Sequence, residues 1–235
     1  MKNTTLEEKQ IERERDPDAN QFYECNKGLL NESQNSVFKE LQLGIDKKGG
    51  VYMIDASAGY GKTFLINLLL AYVRKENNIA IATATSGISS TLFKDGTTAH
   101  KRFRFPIPHR DFSSCAILLQ SQDAKIILES RIIILDEITM LHYNYLDALN
   151  RFLKELMESS EIFGGKLLVL SGDFRQILPI VPQGGRPQIV HVCVKSSETW
   201  QYCKILHLHT NMRIQNLINL EHNQHRKEEL QEFGK

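Results

Sequence analysis

A glycine-bearing turn joins two apolar runs of different character in this 235-residue chain. Ahead of it lies VYMID, a short run of strand type. Behind it lies FLINLLLAYVRK, apolar nearly all round and long enough to form a buried helix. Between them, residues 56–63 read ASAGYGKT. A strand that ends and immediately re-enters as a buried helix needs backbone that tolerates positive φ, which Gly59 and Gly61 supply. The same stretch matches the end of the phosphate-binding pattern G-x-x-x-x-G-K-[ST] through Gly61, Lys62 and Thr63. Ala56 stands where the first glycine belongs. Two readings stand here, a phosphate cradle and a plain strand-to-helix turn. A methyl at residue 56 is compatible with the cradle where φ stays negative.

The surrounding pattern favours the cradle. LLNESQNSVFKELQLGI has helical spacing, with Asn31 or Ser33 as its cap. IAIATA, RIIILDE, KLLVLSGDF and KILHLH read with VYMID as five strands. SGISSTLF and NYLDALNRFLKELM read as helices, the second placing Tyr145, Leu149, Phe152, Leu153 and Leu156 on one face. Strands alternating with helices predict an α/β fold, a parallel sheet with helices on both faces. A P-loop belongs between such a strand and helix.

The chemistry follows from that layout. Main-chain N–H groups of Ala58, Gly59, Tyr60, Gly61, Lys62, Thr63 and Phe64 would cradle an anion at the start of a helix, where the dipole is positive. Lys62 would reach the β- and γ-phosphates, and the Thr63 hydroxyl would hold Mg²⁺. A second strand ending in an acid is then required, and RIIILDE supplies it. Asp136 is the expected metal-side carboxylate, and Glu137 the general base for an attacking water. GDFRQILPI follows the fourth strand, so Asp173 and Gln176 reach the same edge of the sheet. Gln176 is placed to sense a γ-phosphate or orient water.

TTAHKRFRFPIPHR, residues 97–110, clusters Lys101, Arg102, Arg104 and Arg110 with Phe103 and Phe105. Cations that track phosphates, interleaved with rings that stack on bases, suit single-stranded nucleic acid. The opposing reading is a basic surface loop whose phenylalanines pack inward. His100 belongs to this segment, either at a phosphate or in a structural role. With a formal net charge of +1, the cluster is the main electrostatic footprint of the chain. Trp200 and Met140 are read as packing residues. Cys25, Cys115, Cys193 and Cys203 lack C-x-x-C spacing and read as reduced thiols of an intracellular protein. No apolar stretch is long enough to span a bilayer, and the N-terminus lacks a signal-peptide core. Residues 1–27 carry mixed charge and read as a solvated helix, a tail, or the end of an upstream region.

Taken together, MIDASAGYGKT, SGISSTLFKDGTTAHKRF, DEITM, FGGK, GDFRQILPIVPQGGR and TNMR resemble, in order, the motifs of the petite-integration-frequency (Pif) DNA helicases. The Helitron-like members are the narrower resemblance, which extends over about residues 30–213. It implies a RecA-like first motor domain over residues 28–235 that uses ATP and Mg²⁺ to move 5′→3′ on single-stranded DNA and unwind duplex junctions. Repair, recombination or telomere maintenance in the nucleus would be its setting. It further implies that Gln34 contacts adenine, that Gln176 senses the γ-phosphate, and that Arg213 reaches that phosphate as a finger. DNA contacts would come from His100, Lys101, Arg102, Phe103 and Arg104. Relatives add a second RecA-like domain, for which the residues after Arg213 are too few. Two readings follow, a helicase motor half and a non-catalytic remnant that binds ATP and DNA. A different P-loop ATPase, clamp-loader-like or kinase-like, fits GDFRQ and the basic segment less well.

Overall fold

A computed structural model describes residues 18–47, 49–107, 112–176, 179 and 185–220. The sheet has six parallel strands, β1 Gly50–Asp55, β2 Ile79–Ala84, β3 Thr97–Thr98, β4 Ser130–Asp136, β5 Leu167–Gly172 and β6 Cys203–His207. Their spatial order is β3-β2-β4-β5-β1-β6. β1 lies in register between β5 and β6, with Met53 opposite Leu170 on one side and Ile205 on the other. The helices are α1 Ala19–Asn26, α2 Glu32–Asp46, α3 Lys62–Arg74, α4 Gly87–Ser90, α5 Ala99–Phe103, α6 Gln122–Glu129, α7 Tyr143–Leu156, α8 Arg186–Val192 and α9 Met212–Leu220.

Side-chain alternation along each strand divides the core into two layers. Met53, Ile81, Ile133, Leu135, Leu168 and Leu170 face one layer with α6, α7 and the ring of Phe103. Ile54, Ala80, Ala82, Ile132, Ile134 and Val169 face the other, against α2 and α3. This double burial explains why the central strands read as unbroken apolar runs. α3 is apolar on nearly every side because the sheet and α1 and α2 surround it. Its one buried charge, Arg74, donates to the carbonyls of Lys94 (3.1 Å) and Ala80 (2.8 Å). Asn31 is the α2 cap. Its Oδ1 accepts from the Gln34 N–H at 2.9 Å, and its own N–H donates to Gln34 Oε1 at 3.1 Å, a reciprocal capping box.

The five strands read from the sequence are all present. The sixth, β3, lies inside the segment read as a basic loop and is only two residues long, too short for any periodicity to reveal. SGISSTLF forms only a single helical turn, α4. The 1–27 segment is described only from residue 18, where α1 begins. Arg110 and the residues after 220 lie outside the described residues.

Candidate nucleotide site at the C-terminal edge of the sheet

β1, β4 and β5 all end at one edge, and main-chain bonds tie their exits together. Ala56 N donates to Gly172 O at 3.4 Å, and Thr85 N to Asp136 O at 3.1 Å. In the loop after β1, Gly59 and Gly61 have φ of +87° and +83°, the left-handed region that favours glycine. Ala56 is buried and is not among the residues with positive φ. The missing first glycine therefore costs the loop nothing in conformation. Gly61 is the N-cap of α3, so unpaired helix N–H groups start directly behind it. The Lys62 ammonium folds over the loop and donates to Ala56 O (2.5 Å) and Ser57 O (3.3 Å). Thr63 and Phe64 continue into the first turn of α3, half-buried.

Asp136 closes β4 only 4% exposed, and its Oδ1 has no hydrogen-bond partner. Thr139 Oγ1 nearby is likewise buried and unpartnered. Burial pushes the Asp136 carboxyl above the ordinary carboxylate range, against hydrogen bonding from the Ser171 side chain and the Glu137 main chain and the more distant pull of the Lys62 charge, so the orphaned atom is Oδ1 and not the whole group. An orphaned, buried carboxylate oxygen at the strand exit beside a phosphate loop is a donor fit for a hard cation such as Mg²⁺. Glu137 follows with φ +54°, a left-handed conformation that a side chain adopts at a cost of about 1–2 kcal/mol. Its main-chain carbonyl accepts from Thr85 Oγ1 at 2.9 Å, which holds the turn. Burial, then the neighbouring Asp136 charge, raises the Glu137 pKa.

Asp173 organises the loop after β5. It is 2% exposed, accepts from Arg175 N and Nε at 3.0 Å each, and accepts from Gln176 Nε2 at 2.9 Å. Burial works to raise its pKa, but those hydrogen bonds outweigh it and hold the group below its usual value. Gln176 is thus fixed by its amide nitrogen beside the acids. A cavity of about 450 Å³ opens next to the phosphate loop, lined by Asp55, Tyr60, Phe174, Arg175, His207 and His209.

Two remote segments also converge on the loop. Gln34, 1% exposed, donates through Nε2 to Tyr60 O at 3.2 Å. Both ends of its amide are therefore engaged, one by the loop and one by the α2 cap. Arg213 donates its main-chain N–H to Gly59 O at 3.1 Å. A Cβ added at Gly59 would stand 3.1 Å from Asn211 Oδ1 and 3.2 Å from Arg213 Cβ. One at Gly61 would stand 2.3 Å from Gln34 Nε2. These glycines are needed for close approach as well as for φ.

The structure corrects the expectation for Phe103. Its ring is fully buried against the sheet, and Phe105 is 5% exposed, so neither presents a face to a base. The two rings pack together at 5.6 Å. His100 stands edge-on to Phe105 and Tyr145, and burial lowers its pKa, so it is not a ready cation at neutral pH. Lys101 is exposed on α5. Arg104, exposed at the end of that helix, pairs with Asp123 at 2.6 Å. Arg102 is half-buried beside them. Met140, read as a packing residue, is 38% exposed, whereas Trp200 packs edge-on against Phe174. Among the functional residues, sequence reasoning undervalued Asp173. The only signal for it was an acid three positions before Gln176 on a strand exit. Asn211 and Met212 gave no periodic signal at all.

Comparison with known proteins agrees with this geometry. The PIF1-like helicase family profile matches residues 29–235. The ATP-dependent DNA helicase Pif1 of Psychrobacter sp. (strain PRwf-1) is 32% identical over 146 residues, which cover 60% of this chain and 22% of that protein. The ATP-dependent DNA helicase RRM3 of Saccharomyces cerevisiae is 30% identical over 168 residues, 69% of this chain and 22% of that one. The chain thus spans about a fifth of the length of these relatives. A Bacteroides Pif1 helicase crystallised with ADP-AlF3 and single-stranded DNA superposes with a TM-score of 0.64 at 23% identity, over 81% of this chain and 45% of that one. That likeness establishes the RecA-like P-loop fold. With most of its length matched by the profile, and a phosphate loop facing two acids across a parallel sheet, the chain belongs to the PIF1-like helicase family.

Proposed function

We propose that this chain is the first motor domain of an ATP-dependent DNA helicase, which couples ATP hydrolysis to 5′→3′ movement on single-stranded DNA and to unwinding of duplex junctions. The observation that carries the reading is the unpartnered Asp136 Oδ1, buried beside Lys62 and the phosphate loop. The loop N–H groups and the start of α3 bind phosphate oxygens, and the Lys62 ammonium leaves the Ala56 and Ser57 carbonyls to neutralise the β- and γ-phosphates. Thr63 and Asp136 are the residues that would hold Mg²⁺, which supplies charge neutralisation on the phosphates. Glu137, its pKa raised, accepts the proton of an attacking water. Gln176, steadied by Asp173, orients that water or senses the γ-phosphate. Arg213 adds positive charge at the same phosphate. Gln34 meets the adenine by exchanging its bond to Tyr60 O for one to the base.

Lys101, Arg102 and Arg104 are the proposed phosphate-tracking side chains for DNA, without stacking by Phe103. Work in the nucleus, in repair, recombination or telomere maintenance, rests on the family resemblance. No helix among the described residues is long and apolar enough to cross a membrane.

The test is steady-state ATP turnover of the purified chain with and without single-stranded DNA, with Lys62→Ala as control. Turnover that rises with DNA and vanishes in the control supports a working motor half. Nucleotide and DNA binding with no turnover above the control would leave a non-catalytic binding domain in its place.

A further inference from the structure

Arg213 is tied to the phosphate loop by its backbone as well as by its proposed chemistry. Its N–H is shared between Gly59 O and Asn211 Oδ1, each at 3.1 Å. Asn211 is the N-cap of α9. Its Oδ1 also accepts from Ile214 N at 3.3 Å, and its carbonyl accepts from Gln215 N at 3.0 Å. Met212 then reaches the opposite side. Its Sδ accepts from Asn31 Nδ2 at 2.9 Å, and its Cγ lies 3.4 Å from where a Cβ at Gly61 would stand. Asn31 is the cap that positions Gln34, and Gln34 holds Tyr60 O. Asn31 and Met212, 181 positions apart in sequence, therefore close a ring of contacts around residues 59–61.

We infer that Asn31, Asn211 and Met212 are positioning residues that clasp Arg213 and Gln34 to the phosphate loop. This inference rests on the nucleotide reading proposed above. The arginine is then held by this domain and is in place before any second domain closes. A finger delivered by a separate body would find its distance to the loop only on closure. Here the main chain of Arg213 is one hydrogen bond from Gly59, so only side-chain rotation remains to be ordered when a phosphate binds. The clasp also links the proposed adenine side, through Gln34, to the γ-phosphate side, through Arg213. Losing it should loosen both ends of the nucleotide together.

The test compares four versions of the full chain: parent, Asn211→Ala, Asn211→Ser and Asn31→Asp. Serine restores an N-cap oxygen without adding charge. Asn31→Asp keeps the capping oxygen of α2 and replaces the donor to Met212 with a charged oxygen, so it is read by hydrogen exchange and not by ADP affinity. Amide hydrogen exchange without nucleotide reads the clasp directly, and ADP affinity reads its use. Asn211→Ala is expected to speed exchange at residues 213–215, whose N–H groups Gly59 O and the Asn211 cap hold, at least ~5-fold and to weaken ADP binding ~3–10-fold, with Asn211→Ser recovering most of both. Asn31→Asp is expected to speed exchange at 212–214 about 2-fold while leaving α2 protected. Parental exchange at 213–215 in Asn211→Ala, or faster exchange with unchanged ADP affinity, would overturn the inference. Failure of the parent itself to bind ADP would instead sink the nucleotide reading, and the exchange comparison would still decide whether the clasp exists.

Discussion

Both ends of the parallel sheet bury a charge beside left-handed backbone. At the N-terminal end, Phe163, Gly164 and Gly165 turn with φ of +51°, +62° and +78°. Lys166 follows, 8% exposed, and its ammonium donates to Leu128 O and Ser130 O at 2.6 Å each. Phe163 is fully buried, and its N–H donates to Asn150 Oδ1 at 2.8 Å. At the C-terminal end, Asp136 is as deeply buried, but its Oδ1 has no partner, and Glu137 holds its left-handed turn half in solvent. Both segments carry family motifs, FGGK and DEITM. The difference is in what remains unsatisfied. A buried charge whose hydrogen bonds are supplied by the chain serves the fold. A carboxylate oxygen left unsatisfied is a cost that a bound cation offsets. The same local chemistry thus separates a segment satisfied within the fold from the one proposed to bind a ligand.

Three substitutions sharpen or break that comparison. Glu137→Gln should reduce ATP turnover about 10²–10³-fold while ADP affinity and melting temperature stay near parental values. Parental turnover would remove Glu137 as the base and with it the functional reading of that edge. Lys166→Met should do the reverse, lowering stability by about 2–3 kcal/mol as two carbonyls lose their donor, with nucleotide affinity unchanged. Its pH dependence checks the cause. Burial depresses Lys166 to about 8, so the unfolded chain holds that proton more tightly. The penalty is complete below that value and fades as pH rises toward the ordinary lysine range. Denaturant titrations should therefore show the parent gaining stability relative to Lys166→Met between about pH 8 and pH 10.

The smallest effect is expected from Asp136→Asn. It removes a buried charge with no partner on Oδ1 and should raise the nucleotide-free melting temperature by about 2–4 °C at pH 7. The raised pKa of Asp136 means that the folded state holds its proton more tightly than the unfolded chain does. The cost is therefore full above the raised value and shrinks as pH falls through it. The gain from Asn should shrink in acid accordingly. A loss of stability on Asp136→Asn at pH 7 would make this end of the sheet as self-sufficient as the other.

Much of this was legible in the chain. Five strands, their parallel arrangement and the phosphate loop follow from apolar runs and one glycine-bearing turn, because burial on both faces and positive φ each restrict residue type locally. The places of Asp136 and Glu137 at a strand exit, and of Lys62 at the start of the helix that follows the loop, were legible for the same reason. Phe103 misled because a phenylalanine between arginines has the same local pattern whether its ring meets a base or a sheet. Only the packing of α5 against β2 and β3 put it inside. Asp173 was visible as a residue but not as the group that holds Gln176.

The sequence by itself determined the α/β layering, the loop and the acids that face it, because those depend on periodicity and on residues within a few positions of each other. The tertiary structure alone decided which polar atoms are left without partners, which aromatic rings are available, and that Asn31 and Met212 meet across the phosphate loop. Those facts depend on contacts between segments far apart in the chain, and no local pattern records which distant surface a side chain will face.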